Sequence, residues 1–166
     1  NDPVLNQYIN SLGQRLVKSS NRKDIPYTFK VVNDKSINAF AIPGGYCYIN
    51  LGLIDLTENE AELASVISHE IAHVVGEHGM ENMTKQQIIG FAGAVILGGR
   101  PTFTEEIISS IIQRGVLTNF SRGAELEADR LGIEQMHAAG INPIGFESFL
   151  IKMRDKEKGE SSRFSN

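Results

Sequence analysis

Apolar and polar positions follow two different rhythms along this chain. Val4, Leu5, Tyr8, Ile9, Leu12 and Leu16 recur at the three-and-four spacing of one helix face. Asp2-Pro3 ahead of them is a cap followed by a first-turn proline, so a helix is expected to run to about Lys18. The polar stretch Ser19 to Pro26 reads as a turn. Strand-like segments follow at Tyr27 to Val32, Asn38 to Ile42 and Tyr46 to Asn50, and Pro43-Gly44-Gly45 predicts a tight hairpin between the last two. Helical spacing returns with Ala61, Ala64, Ile67, Ile71, Val74 and Val75. Thr57-Glu58-Asn59-Glu60 has the form of a capping box for that helix, which should span about Glu58 to Glu77, with Gly76 and Gly79 as places to stop. Further helices are expected over Thr84 to Leu97, Thr104 to Leu117, Ser121 to Ala138 and Ile144 to Met153. The tail from Arg154 is charged and serine-rich and is expected to be mobile. The pattern predicts one α+β domain over residues 1–166, mostly helical with a small β-sheet, without internal repeat or linker.

Composition narrows the functional classes. The net charge is −4 and the basic residues are scattered, with no stripe suited to a nucleic-acid backbone. Cys47 is the only cysteine, so no internal disulfide forms, and its strand-like setting makes it a small core residue. The longest unbroken run of apolar residues and glycines, Ile88 to Gly99, is too short to cross a bilayer core of about 30 Å as a helix. No transmembrane segment is therefore expected in this chain, while peripheral membrane association stays open. The chain starts Asn1-Asp2-Pro3, and the expectation is a processed or excised form from which any targeting segment has been removed.

Candidate chemistry centres on His69-Glu70-Ile71-Ala72-His73. Two histidines one turn apart on a helix share a face and can reach one metal ion, and Glu70 between them can hold the attacking water. Such a site needs a third protein ligand. His78, five residues after His73, points elsewhere on the helix and reads as a helix-end residue, with a metal role as the alternative, and His137 near a helix end reads as a surface or capping residue. Glu125 and Asp129 share a helix face, so Glu125 could bind metal while Asp129 orients a ligand histidine, or both could belong to a solvated acidic face. Glu127 points away from that pair and reads as a solvated acid.

His69-Glu70-x-x-His73 together with Glu125-x-x-x-Asp129 resembles the zinc peptidase family that contains the CAAX prenyl endopeptidases, the HtpX-type membrane proteases and the BepA-like envelope proteases. The likeness takes in Asn38-Ala39-Phe40-Ala41-Ile42-Pro43-Gly44-Gly45, and Ser121-Arg122 leading into Glu125 to Gly132. It runs from the first helix to about Phe149. It implies a zincin-type (gluzincin) domain with one zinc per chain, held by His69, His73 and Glu125. It further implies Glu70 as the base, Asp129 behind a ligand, and an edge strand with Asn38, Ala39 and Phe40 bordering the substrate cleft. The lack of long apolar spans is closest to the BepA-like branch. That branch implies a bacterial cell envelope or periplasmic setting, with membrane-anchored forms included, and unfolded or misassembled envelope proteins as polypeptide substrates. A removed N-terminal segment would supply any anchor. Family members carry a further His-Pro segment after the last helix, and this chain ends at Asn166 where that segment would begin, so the catalytic domain is expected to be incomplete at its C-terminus.

The reaction these residues suit is peptide-bond hydrolysis, with Glu70 taking the proton of the attacking water and passing it to the leaving amine. Asn38 and Arg122 are the candidates to stabilise the oxyanion. An extended substrate would pair with the strand near Asn38 to Phe40. A protease-like client-binding or chaperone module with little hydrolysis is the alternative, and a zinc hydrolase of non-peptide amides is a third reading.

Overall fold

The structure, a computed structural model, describes residues 2–81 and 120–163. In chain order its elements are α1 (Pro3–Val17), β1 (Thr28–Val32), β2 (Ala39–Ile42), β3 (Tyr46–Asn50), α2 (Leu51–Leu56), α3 (Glu60–Val75), α4 (His78–Glu81), α5 (Arg122–Ala138) and α6 (Ile144–Arg163). The helices expected over 84–97 and 104–117 lie outside the described residues. The architecture is mixed α and β, chiefly helical, with one small sheet.

α1 starts as its sequence dictates: the Asp2 carboxylate accepts from the Val4 and Leu5 N–H groups, and Pro3 opens the first turn. Its inner face buries Ile9, Leu12, Leu16 and Val17. Gly13 lets the Phe29 ring lie against the helix, since a Cβ there would stand 2.5 Å from the ring. The sheet has the order β1-β3-β2. β1 runs parallel to β3, and β2 antiparallel to it through the hairpin at Gly44 and Gly45, whose φ values of 96° and 88° suit glycine. Among the described residues β2 is therefore an edge. Ala41, Cys47 and Ile49 face the main core, while Phe40, Ile42 and Tyr48 form a small cluster of their own.

α3 is the central element and packs against α5, α6, α1 and β2. Eleven of its residues are buried, from Glu62 to Val74. Small side chains let α5 come close: a Cβ on Gly132 would stand 3.2 Å from Ser68 Oγ, and Ala64 and Ala128 are wholly buried. The Ser65 and Ser68 hydroxyls, also buried, donate to the carbonyls of Glu62 and Ser65.

Three details depart from the sequence expectation. The N-cap of α3 is Asn59, which accepts from Glu62 N–H, whereas Thr57 closes α2 and donates to the Ile54 carbonyl. The short helix α2 follows β3 directly, and no cap signal announced it: Asn50 at its N-terminus makes no side-chain capping bond. α6 runs on to Arg163, well past Met153, so the charged stretch after Arg154 is helical there. Among the described residues no helix is long and apolar enough to cross a membrane.

Candidate metal centre

α3 and α5 meet at the motif residues. His69 and His73, one turn apart on α3, turn their Nε2 atoms toward each other at 2.9 Å. Glu125, in the first turn of α5, brings Oε2 to 3.4 Å from His69 Nε2 and Oε1 to 3.8 Å from His73 Nε2. Among the described residues these three form a donor group with all ligand atoms within 4.8 Å of one another. A tetrahedral zinc with bonds of about 2.0–2.1 Å separates neighbouring ligand atoms by about 3.3 Å, and the observed spacings bracket that value. The far side of each ring is engaged as well. His69 Nδ1 lies 3.0 Å from Asp129 Oδ1, and His73 Nδ1 lies 2.9 Å from His78 Nδ1. Both rings thus leave Nε2 for the centre, and the residues present fit a zinc ion.

Burial and neighbouring charge tune these groups in different directions. Burial, followed by the adjacent His69 and His78 rings, pushes His73 down to about 3, which keeps its imidazole neutral as a metal ligand must be. Burial also pulls His69 down, but the Asp129 hydrogen bond and the charges of Glu70, Asp129 and Glu125 outweigh it and hold His69 above its ordinary value. Burial raises Glu70 to about 6, with Glu125 adding to the rise and His69 and the Ala41 N–H of β2 opposing it.

The centre lies between two hollows that share β2 as a wall. One, about 390 Å³, is lined by Ile37, Asn38 and Ala39 at the start of β2, by His69, Glu70, Glu125 and Asp129, and by Phe146 and Phe149 of α6. The other, about 270 Å³, is lined by Ala41 to Gly44 at the far end of β2, by His73 and by Phe120. Asn38 and Ala39 therefore border the site. Phe40 does not: its ring is 2% exposed, stacks on Tyr48 at 5.1 Å and belongs to the separate cluster on the sheet. The strand alternation that puts Ala39 and Ala41 on the site side sends Phe40 to the opposite face. Arg122 is exposed at the start of α5 and lines neither hollow.

Sequence reasoning read His78 as a helix-end residue and Glu127 as a solvated acid, and did not single out Phe120. His78 does stand at a helix end, as the first residue of α4, but it is 4% exposed and touches His73. Glu127 lies on a different flank of α5 from Glu125 and Asp129, as the helix phase requires, yet its Oε2 comes within 3.4 Å of His78 Nε2. Phe120 stacks on the His73 ring at a centroid distance of 4.1 Å. The available signal was Gly76, which leaves room for the His78 ring against the end of α3.

Comparison with known proteins agrees with this geometry. The chain is 38% identical over 167 residues to a β-barrel assembly-enhancing protease of Yersinia pestis, covering 95% of this chain and 34% of the relative. It is 36% identical over 173 residues to the protein of the same name from Escherichia coli strain K12, covering 97% of this chain and 35% of the relative. Metalloprotease LoiP of Escherichia coli is 30% identical over 141 residues, covering 82% of this chain and 55% of the relative. The chain thus spans about a third of the length of the assembly-enhancing proteases it matches. The model of peptidase family M48 matches residues 3–158, and the chain belongs to that family.

Proposed function

We propose that this chain is the catalytic part of a zinc-dependent endopeptidase of the gluzincin kind that hydrolyses peptide bonds in loosely folded proteins of the bacterial cell envelope. The observation that carries the proposal is the convergence of His69, His73 and Glu125 within 4.8 Å, with Glu70 beside them and an edge strand along both hollows. The names of the relatives support the envelope setting and its protein substrates.

A zinc ion held by His69, His73 and Glu125 would supply Lewis acidity and draw the pKa of water from about 15.7 toward about 7. The chain's own residues do the rest. Glu70, raised to about 6, takes the proton of the attacking water and delivers it to the leaving amine. Asp129 accepts the His69 Nδ1–H and fixes which nitrogen faces the centre. A substrate strand pairs with the edge of β2 left open among the described residues, which sets its direction and places one peptide group beside Glu70. Main-chain pairing selects extended backbone over particular side chains, so unfolded segments are the suited substrates.

The test is cleavage of an unfolded protein such as casein, with zinc content measured in parallel and with a chelator as control. Glu70→Gln should keep zinc and lose about two to four orders of magnitude in rate, since an amide takes up no proton. Cleavage by Glu70→Gln at the original rate would remove Glu70 from the chemistry. A chain that binds unfolded protein and zinc but never cuts it would instead be a client-binding module.

A further inference from the structure

His69 and His73 differ in what stands behind them. A carboxylate, Asp129, backs His69, whereas His73 is backed by a third histidine. His78 brings Nδ1 to 2.9 Å from His73 Nδ1 and Nε2 to 3.4 Å from Glu127 Oε2. The backbone is shaped to seat that ring. α3 ends at Gly76, and Glu77 then takes a φ of 59°, the left-handed region that a non-glycine residue seldom adopts. This reversal folds His78 back over the end of α3. Gly76 makes room for it, since a Cβ there would stand 2.4 Å from His78 Nε2.

We propose that His78 is a positioning residue: it accepts a hydrogen bond from His73 Nδ1–H, donates from its own Nε2–H to Glu127, and so fixes the tautomer and rotation in which His73 presents Nε2 to zinc. The proposal rests on the zinc reading above. Proton counting allows one arrangement. A neutral His73 that gives Nε2 to the metal carries its single proton on Nδ1. His78 Nδ1 must then be the bare acceptor, which puts the His78 proton on Nε2, facing the Glu127 carboxylate. His78 is no ligand itself, because both of its nitrogens are engaged away from the centre. Phe120, stacked on the His73 ring at 4.1 Å with the planes 22° apart, restrains the remaining rotation. An acceptor behind a ligand imidazole raises its basicity, and removing it weakens metal binding.

Zinc affinity measured by competition with a chromophoric chelator tests this, with the melting temperature of the zinc-free chain followed alongside. If the unsubstituted chain binds no zinc, the zinc reading fails and the relay with it. His78→Leu fills the space without a nitrogen, and zinc affinity is expected to fall about 10- to 100-fold while the zinc-free fold is kept. His78→Asn sets an amide oxygen close to where Nδ1 stood and should recover most of that loss. Glu127→Gln should show a smaller loss of the same sign. Wild-type affinity in His78→Leu, or His78→Asn no better than His78→Leu, overturns the relay and leaves the zinc site standing. Should His78→Leu fail to fold, long-range 1H–15N correlation on the unsubstituted zinc-loaded chain decides. His78 protonated on Nε2 alone supports the relay, and a proton on His78 Nδ1 overturns it.

Discussion

Glu62 is the one fully buried acid among the described residues, at 2% exposure. Its Oε2 accepts from Lys152 Nζ and from the Glu58 N–H, both at 2.8 Å. Burial pushes its pKa up, but the Lys152 hydrogen bond, the Glu58 N–H, Ser148 and the Lys152 charge together hold it below 4.5. A depressed carboxylate stabilises the fold above its unfolded pKa, and that contribution is lost as the pH falls through the folded value. Lys152→Met keeps the apolar stem and removes the partner, leaving a buried charge. Its melting temperature is expected to drop by several degrees at pH 7. Only the Glu58 N–H and Ser148 then oppose burial, so the Glu62 pKa rises and protonation relieves the variant while it costs the wild type. The gap in melting temperature should therefore narrow as the pH is lowered below 4.5, and a gap that widens on acidification would contradict this account. At this scale the sequence was legible where chemistry fixes a local spacing. His69 and His73, or Glu125 and Asp129, show themselves because one helical turn aligns them. Lys152 and Glu62 lie 90 residues apart, and no local pattern links them. His78 was missed for a related reason: its position depends on the reversal at Glu77, which an ordinary glutamate does not announce.

Between elements, closeness is set by small residues. α6 starts against α3 at Gly145, where a Cβ would stand 2.3 Å from both the carbon and the oxygen of the Ala61 carbonyl and 2.8 Å from Glu62 N. Those neighbours are backbone, which a side-chain rotation cannot move aside. Gly145→Ala should therefore destabilise by about 1–3 kcal/mol through overpacking, despite the better helix propensity of alanine. Gly123 in α5 is the control. Its nearest neighbour to an added Cβ is Ser121 Oγ at 3.8 Å, and Gly123→Ala should be neutral or stabilise by up to about 1 kcal/mol. Urea denaturation of the two variants decides it, and equal midpoints would mean that the α3–α6 crossing is looser than described. Helical spacing of apolar residues revealed α1 and α3, and Pro43-Gly44-Gly45 between two β-rich runs revealed the hairpin. Periodicity missed α2, whose Leu51-Gly52-Leu53-Ile54-Asp55-Leu56 is too short to show a period. It also stopped α6 early, because its last turns carry charge in place of an apolar face.

At the scale of the whole molecule, the donor group draws on two packed helices, α3 and α5, that no disulfide ties together. The chain order placed the strands, but not the sheet order β1-β3-β2 that leaves β2 as an edge beside the site, because the parallel β1–β3 pairing is non-local. The resemblance to known peptidases supplied what periodicity could not. On the proposed zinc reading, the same geometry would make the metal a stabiliser of the fold as well as a part of the chemistry. A ligand that binds only the folded state adds about 2.7 kcal/mol when present at 100 times its dissociation constant. For a domain of this size, each kcal/mol raises the melting temperature by about 2–4 °C. Zinc added to the chelated chain should thus raise it by roughly 5–10 °C. His73→Ala removes one ligand from α3 and should abolish most of that rise, while its zinc-free melting temperature reports separately on the lost packing with Phe120. If His73→Ala still gained the full shift from zinc, the ion would have to bind elsewhere, and the joint between α3 and α5 would be held by packing alone.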